Sequence, residues 1–361
     1  MKVLFLTPLF YPSIGGVQRH VFEVGLRLKK KDIQLCIITE KESKNYQSSG
    51  KSDSEAKKLK QVVKSSYFER KKISGIPVWY FTFGKAGWHK KFKIWYILFK
   101  HRNLFKDADI IHCHDVFIWY LPLRFLYPRK KVFITFHGYE SYPVVFKNIL
   151  IRKISEILSS GNICVGNFIK KWYHANATYI TYGGVNIKKN GAKPKREKSK
   201  KLNILFLGRI DEDTGVRLYI NVLEKLKKQK LNFNFIACGD GYLGNLFEKY
   251  GKVTGFVKNT SKYIREADIV FSSSYLSILE SLAERKKVFA VYQNPLKKSY
   301  LTDSPFKKFI VITRSVSDIT KKISLYNKNK KIDIAVDNGF LFAKKQTWEN
   351  VTNMYINLWT K

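Results

Sequence analysis

The sequence predicts an α/β protein built from two doubly wound domains in tandem, facing each other across a cleft. Three observations carry this. Short apolar runs of strand length alternate with helical stretches, the pattern of a parallel sheet wrapped by helices. The alternation starts twice, on either side of "NIKKNGAKPKREKSKK" (Asn186 to Lys201), a basic stretch nearly free of apolar residues. The apolar runs end in polar residues or glycine, and ligands of such sheets bind beyond the carboxyl ends of the strands. The expected boundaries are 1–186 for the first domain, 187–200 for a basic linker, 201–345 for the second domain and 346–361 for a last helix.

Lys2–Thr7 reads as a buried strand. Past Gly15-Gly16, Val17, Val21, Val24 and Leu28 recur at helical spacing. "IQLCIITE" from Ile33 is a second buried strand, so the chain opens β-α-β with a right-handed crossover. Lys41 to Ser66 is polar and reads as a loop. "GIPVWYFTF" from Gly75, "ADIIHCHDVF" from Ala108 and "KVFITFHGYE" from Lys131 are further strands. Their ends bring Gly15, Gly16, His114, Asp115, His137, Gly138 and Glu140 toward one wall of a cleft. In the second half, "LNILFLGRID", "FNFIACGDG", "GKVTGFV", "ADIVFSSS" and "KVFAVYQ" read as strands, and "GVRLYINVLEKLKKQ" and "YLSILESLAERK" as helices. "QTWENVTNMYINLWTK" closes the chain as an amphipathic helix.

The chain has 361 residues and is 45% hydrophobic, enough for two cores. Its formal net charge of +39 suits three partners: nucleic acid, an anionic membrane surface or an anionic small substrate. An abundance of Lys, Asn, Ile, Phe and Tyr, as an AT-rich genome produces, also contributes. No zinc-ribbon or helix-turn-helix pattern supports nucleic acid, and none is expected as a partner. Cys36, Cys113, Cys164 and Cys238 are far apart in apolar runs and read as free buried thiols. Pro8 and Pro12 cut short the first apolar run, and no window approaches a membrane span, so a cytoplasmic protein is expected. "WHKKFKIWYILFKHRNLFK" (Trp88 to Lys106) combines aromatics with cations, which suits peripheral contact with anionic lipid at the inner face of the cell membrane. It equally suits a core-facing helix with a basic outer side.

Two adjacent glycines where a strand hands over to a helix suggest an anion site. A helix start presents unpaired N–H groups and partial positive charge, and glycine lets a ligand come close. Gly15-Gly16 fits phosphate on this ground, and fits a tight turn as well. The ordered set "PLFYPSIGGVQRHVFEVGLRL", "ADIIHCHD", "TFHGYE", "LFLGRIDEDTGVRLYINVLEKL", "VTGFV", "ADIVFSSS" and "LESLA" resembles glycosyltransferase family 4 along nearly the whole chain. The resemblance implies the GT-B architecture, two Rossmann-like domains with a last helix crossing back to the first. Trp348, Tyr355, Leu358 and Trp359 would supply that helix's apolar contacts. It implies a retaining hexosyltransferase that moves a sugar from a nucleotide-sugar to a glycan or lipid-linked acceptor. The second domain would hold the nucleotide, with no metal and no cofactor besides the donor.

On the resemblance, Gly15 and Gly16 face the donor diphosphate, and Arg209 grips it with the planar fork that suits phosphate. A surface ion pair of Arg209 with Asp211 or Glu212 is the plainer reading. Thr214 stands where the family usually carries a lysine, and Arg217 or another cation would have to replace it. Glu280 matches the glutamate that receives the ribose hydroxyls. Its usual partner glutamate is absent, with Ser272 in that place, and Ser273, Ser274 and Tyr275 replace the glycine-rich segment that touches the donor sugar. His137 would lie near the transferred sugar. Gly239, Gly241, Phe256 and Val257 would line the nucleotide side, though Val and Phe there also suit a core. "HCHD" (His112 to Asp115) invites a metal reading, but no fourth ligand is evident. The missing lysine and glutamate leave a second reading open: a catalytically degenerate GT-B protein that partners another transferase at the membrane.

Overall fold

The computed structural model describes residues 1–41, 68–84, 87, 89–138, 141–187, 201–329 and 334–361. Trp88, Glu140, and all but the first residue of both the polar loop and the linker lie outside the described residues. The first sheet holds β1 (Lys2–Thr7), β2 (Gln34–Glu40), β3 (Phe68–Ile73), β4 (Ile76–Phe81), β5 (Ile110–His114), β6 (Lys131–Phe136), β7 (Gly161–Val165) and β8 (Tyr179–Thr181). Their order is β3-β4-β2-β1-β5-β6-β7-β8, parallel except for the β3–β4 hairpin. The second sheet holds β9 (Leu202–Leu207), β10 (Phe233–Cys238), β11 (Lys252–Val253), β12 (Ile269–Phe271), β13 (Lys287–Ala290) and β14 (Val311–Ile312). It is parallel throughout, in the order β11-β10-β9-β12-β13-β14. Strand order reverses at β1 and at β9, the switch points beside which such sheets bind ligands.

β1 and β5 are central, and their side chains are buried on both faces, which is why they read as continuous apolar runs. One face of the first sheet packs on the helix Gly16–Lys30 and the last helix Trp348–Thr360, through Phe5, Val21, Val24, Trp348, Tyr355 and Trp359. The other packs on the helices His89–Lys100 and Phe117–Leu126, through Ile94, Leu98, Phe117 and Tyr120. The last helix thus crosses back to the first domain. Its path is pinned where it leaves the second: Val185 N–H donates to Gln346 O at 2.8 Å. A Cβ on Gly184 would lie 2.6 Å from the Trp348 backbone nitrogen, so the two crossings run in contact.

The domains also pack directly. Phe168 meets Tyr300 with ring centroids 5.2 Å apart, and Tyr182 meets Tyr275 at 5.2 Å. Gly166 (φ +105°) leaves room for the Tyr275 ring, whose atoms would lie 2.6–2.7 Å from a Cβ there. One sequence expectation shortens: of "GKVTGFV" only Lys252–Val253 is strand. Cys113, Cys164 and Cys238 are buried and free, and Cys36 is half-buried and free.

Candidate active site

β1 passes into the helix Gly16–Lys30 with Gly15 as N-cap, in extended backbone. No side chain caps this helix and no acid occupies its first turn. A Cβ on Gly15 would press on the Gln18 side chain, but one on Gly16 would meet nothing within 4 Å. The first amides of the helix, with their partial positive charge, are open at Gly16.

Four histidines lie behind these glycines in one buried network. Trp359 Nε1–H donates to His112 Nδ1 at 3.0 Å. Indole only donates, so His112 carries its proton on Nε2 and donates to Thr135 Oγ1 at 2.7 Å. Thr135 Oγ1 is 2.8 Å from Tyr355 Oη, which is 3.0 Å from His20 Nε2. Donation in one direction, from Trp359 through His112, Thr135 and Tyr355 to His20, satisfies every link.

His137 directly follows β6 and meets the His20 ring edge-on at 4.8 Å. Its Nε2 is 2.9 Å from His114 Nδ1. His114 Nε2 is buried without a hydrogen bond among the described residues. A buried N–H left unpaired is the rarer and costlier defect, so His114 donates from Nδ1 and His137 keeps its proton on Nδ1. Asp115, held in the left-handed region (φ 62°), accepts the His137 backbone N–H at 2.9 Å. Burial pushes the His20 pKa down to about 3 and holds His112, His114 and His137 well below 6.5. All four are neutral at neutral pH. His112 and His114 share a strand face with rings 5.1 Å apart, and among the described residues no group of three or more His, Cys, Asp or Glu is arranged for a metal ion.

In the second domain Arg209 follows β9 and is half exposed. Its guanidinium donates to Asp211 at 3.1 Å and also to Asp213, so the plainer ion-pair reading describes its contacts here. Thr214 is buried, and its hydroxyl lies 2.7 Å from both the Arg209 and Asp211 carbonyls, closing the turn that presents Arg209. Arg217 pairs with Glu212.

Glu280, inside the helix Tyr275–Ala283, is largely buried. It pairs across the domain boundary with Arg19, and Thr260 Oγ1 donates to its Oε2 at 3.1 Å. Burial raises its pKa, with Arg19 and Thr260 opposing. Arg19, in the first turn of the helix that Gly15 caps, therefore meets Glu280 of the other domain.

The three residues expected at the donor sugar divide. Ser273 turns inward: its hydroxyl is 2.9 Å from Tyr219 Oη and 3.0 Å from both Val291 N and O. Those bonds spend it inside the domain, a correction to the expected sugar contact. Tyr275 is buried at the domain boundary, stacked on Tyr300 at 3.9 Å, so its ring packs rather than lines the cleft. Ser274 keeps partial exposure as N-cap of the helix Tyr275–Ala283, without a side-chain cap bond.

On the nucleotide side, β10 is followed by "GDGYLG", which has the G-x-G-x-x-G spacing. A Cβ on Gly239 would lie 1.8 Å from Gly208 O, and one on Gly241 2.4 Å from Ile210 O. Backbone crowding within the domain requires these glycines. Phe256 is exposed, and Val257 packs partly against Val270 and Ile264.

The model described as Glycosyltransferase Family 4 matches residues 14–189, and that of Glycosyl transferases group 1 matches 188–339. The chain belongs to glycosyltransferase family 4. An uncharacterized glycosyltransferase of Methanocaldococcus jannaschii is 25% identical over 97% of this chain and 95% of its own. Two solved structures share the GT-B fold over both chains. Sucrose-phosphate synthase from Thermosynechococcus elongatus has a TM-score of 0.71 at 13% identity, covering 100% of this chain and 98% of its own. HepE of Anabaena, in complex with UDP and glucose, has a TM-score of 0.70 at 14% identity, covering 99% and 98%.

The chain is thus a transferase enzyme. Sequence reasoning about this transferase missed Arg19, Thr260 and His20. Arg19 and His20 stand in "GGVQRH" directly after the glycines, which was the available signal. Thr260 had none, since only folding brings it to Glu280.

Proposed function

We propose that this transferase moves a sugar from a nucleotide-sugar to a lipid-linked or glycan acceptor with retention of anomeric configuration. The arrangement at the domain boundary supports the donor half: open helix amides at Gly16, neutral His137, and Glu280 of the other domain paired with Arg19. In this reading Gly15, Gly16 and Arg209 hold the diphosphate, and Glu280 exchanges Arg19 for the ribose hydroxyls. The amides stabilise the leaving phosphate, and His137 donates from Nδ1 to the donor. The sugar–phosphate bond breaks as the acceptor oxygen bonds from the same face. The acceptor proton passes to the departing phosphate oxygen, with no metal required. HepE's complex with UDP makes UDP the first nucleotide to test.

The acceptor half rests on one face of the first domain. The helices His89–Lys100, Phe117–Leu126 and Phe146–Ile157 are linked by Trp95 Nε1–H to Ile118 O (2.7 Å) and Arg124 Nε–H to Leu158 O (2.9 Å). They expose Phe92, Tyr96 and Phe99, then Phe125, then Phe146, Leu150 and Ile157, the last 77% exposed. Lys91, Lys93, Lys100, Lys147 and Arg129 are interspersed. Apolar anchors among cations suit peripheral binding to anionic lipid on the cytoplasmic side. No helix among the described residues is long and apolar enough to cross a membrane.

Purified protein, UDP-sugars labelled in the sugar and anionic lipid extract from a bacterial membrane form the test. Label entering the organic phase, with the donor's anomeric configuration, is expected. Inverted configuration contradicts retention, and label confined to water-soluble products contradicts the lipid acceptor.

A further inference from the structure

A donor diphosphate carries two negative charges, and its departure needs fixed cations. Arg209 supplies one, but Asp211 and Asp213 already share it. Thr214 offers a hydroxyl, and Arg217 is engaged with Glu212.

Lys297 comes from a different element. The helix Pro295–Thr302 starts just past β13, with Asn294 as N-cap, and the Asn294 side chain accepts Lys297 N–H at 2.7 Å. Lys297 is only 4% exposed, rare for a lysine, and its ammonium lies 4.3 Å from the centre of the Tyr300 ring. The Tyr300 hydroxyl accepts Tyr275 N–H at 3.1 Å, at the start of the helix Tyr275–Ala283. Val291, just past β13, lies against Gly215: its Cγ2 would be 2.3 Å from a Cβ there. The segment that carries Lys297 therefore abuts the turn that carries Arg209, Asp213 and Thr214. Burial lowers the Lys297 pKa to about 8, Asp213 opposes this, and Arg209 adds to it, so both charges of that turn act on the ammonium.

Resting on the donor-site reading above, we infer that Lys297 is the second cation of the diphosphate site, in place of the lysine missing at Thr214. Its ligand is the diphosphate of a nucleoside diphosphate or nucleotide-sugar. On binding, phosphate oxygens take over from Asp213 as partner of Arg209 and bring negative charge to Lys297. The added negative charge fixes the proton on Lys297.

Two readouts test this, with UDP and UMP as probes. The first is proton uptake by the unaltered chain, from calorimetry at pH 8 in two buffers of different ionisation enthalpy. A lysine with a pKa near 8 should take up about half a proton with UDP and clearly less with UMP. The second is affinity. Lys297→Met should weaken UDP at least tenfold and UMP less than threefold. Lys297→Arg should recover most of the UDP affinity while abolishing proton uptake, since arginine stays charged.

Equal proton uptake with UDP and UMP, or none, overturns the inference and needs no variant. So does a folded Lys297→Met with an unchanged UDP-to-UMP affinity ratio. If the unaltered chain binds no nucleoside diphosphate, including GDP, ADP and dTDP, the donor-site reading falls as well. Discrimination of UDP from UMP that ignores Lys297 removes this inference alone.

Discussion

Mild acid should destabilise this protein well above the pH at which carboxylates titrate. His20, His112, His114 and His137 are neutral in the fold, with His20 held down to about 3 and the others well below 6.5 by burial. Arg152 adds to the depression at His137, and Asp115 holds the backbone N–H of the same residue. The unfolded chain binds protons at these positions near pH 6.5 and the folded chain does not. Their stabilisation is therefore complete above pH 6.5 and falls as pH drops below it, toward the folded pKa values. At pH 5.5 each neutral histidine forfeits about 1.4 kcal/mol, against less than about 0.1 kcal/mol at pH 7.5. Four of them come to roughly 5 kcal/mol, the scale of a whole domain's stability. Urea unfolding at pH 7.5, 6.5 and 5.5, followed by tryptophan fluorescence, measures it. A total loss below about 1.5 kcal/mol would mean that three of the four are protonated or solvated in the fold, which refutes the network. The same neutrality makes His137 a hydrogen-bond donor at working pH and not a cation.

Other outcomes follow from single contacts. Glu280→Ala should weaken UDP at least tenfold and erase the preference for UDP over 2′-deoxy-UDP, measured by calorimetry. Retention of that preference removes Glu280 from the ribose. Tyr355→Phe breaks the link between Thr135 and His20 and should cost about 1–3 kcal/mol in urea unfolding, with no new cavity to blame. Replacing both Phe146 and Ile157 by Asp should leave the unfolding temperature within about two degrees, since both are exposed. It should sharply reduce co-sedimentation with vesicles containing phosphatidylglycerol, and unchanged co-sedimentation removes this face as the membrane contact.

The parts of the fold legible in the sequence are those whose burial is two-sided. β1, β5, β6, β9 and β12 read as unbroken apolar runs because helices cover both faces of their sheets. β3 ("FERKKI") has no such run. It forms as an antiparallel edge on β4 through the turn at Ser74 and Gly75, both at positive φ, and edge pairing leaves little trace in composition. β7 and β8 are short, and their pairing comes from neighbours far along the chain. In the candidate site, the positions of Gly16, His137 and Arg209 beside a helix start and strand ends were legible because such ends are marked locally, whereas Glu280, inside the helix Tyr275–Ala283, was singled out by resemblance. Ser273 was misjudged because Tyr219 and Val291, which take its hydroxyl, come from other elements. Arg19 and Lys297 were hidden among 67 basic residues, where one more cation carries no signal until folding places it.

The donor site is the central claim, and thermal unfolding tests it most directly. UDP, GDP, ADP and dTDP would each be compared with pyrophosphate at equal charge, because a chain of net charge +39 responds to any polyanion. One nucleotide should raise the midpoint several degrees beyond pyrophosphate, which shows a site that reads the base and ribose as well as charge. Equal shifts from every anion, or none from any, would contradict the donor site.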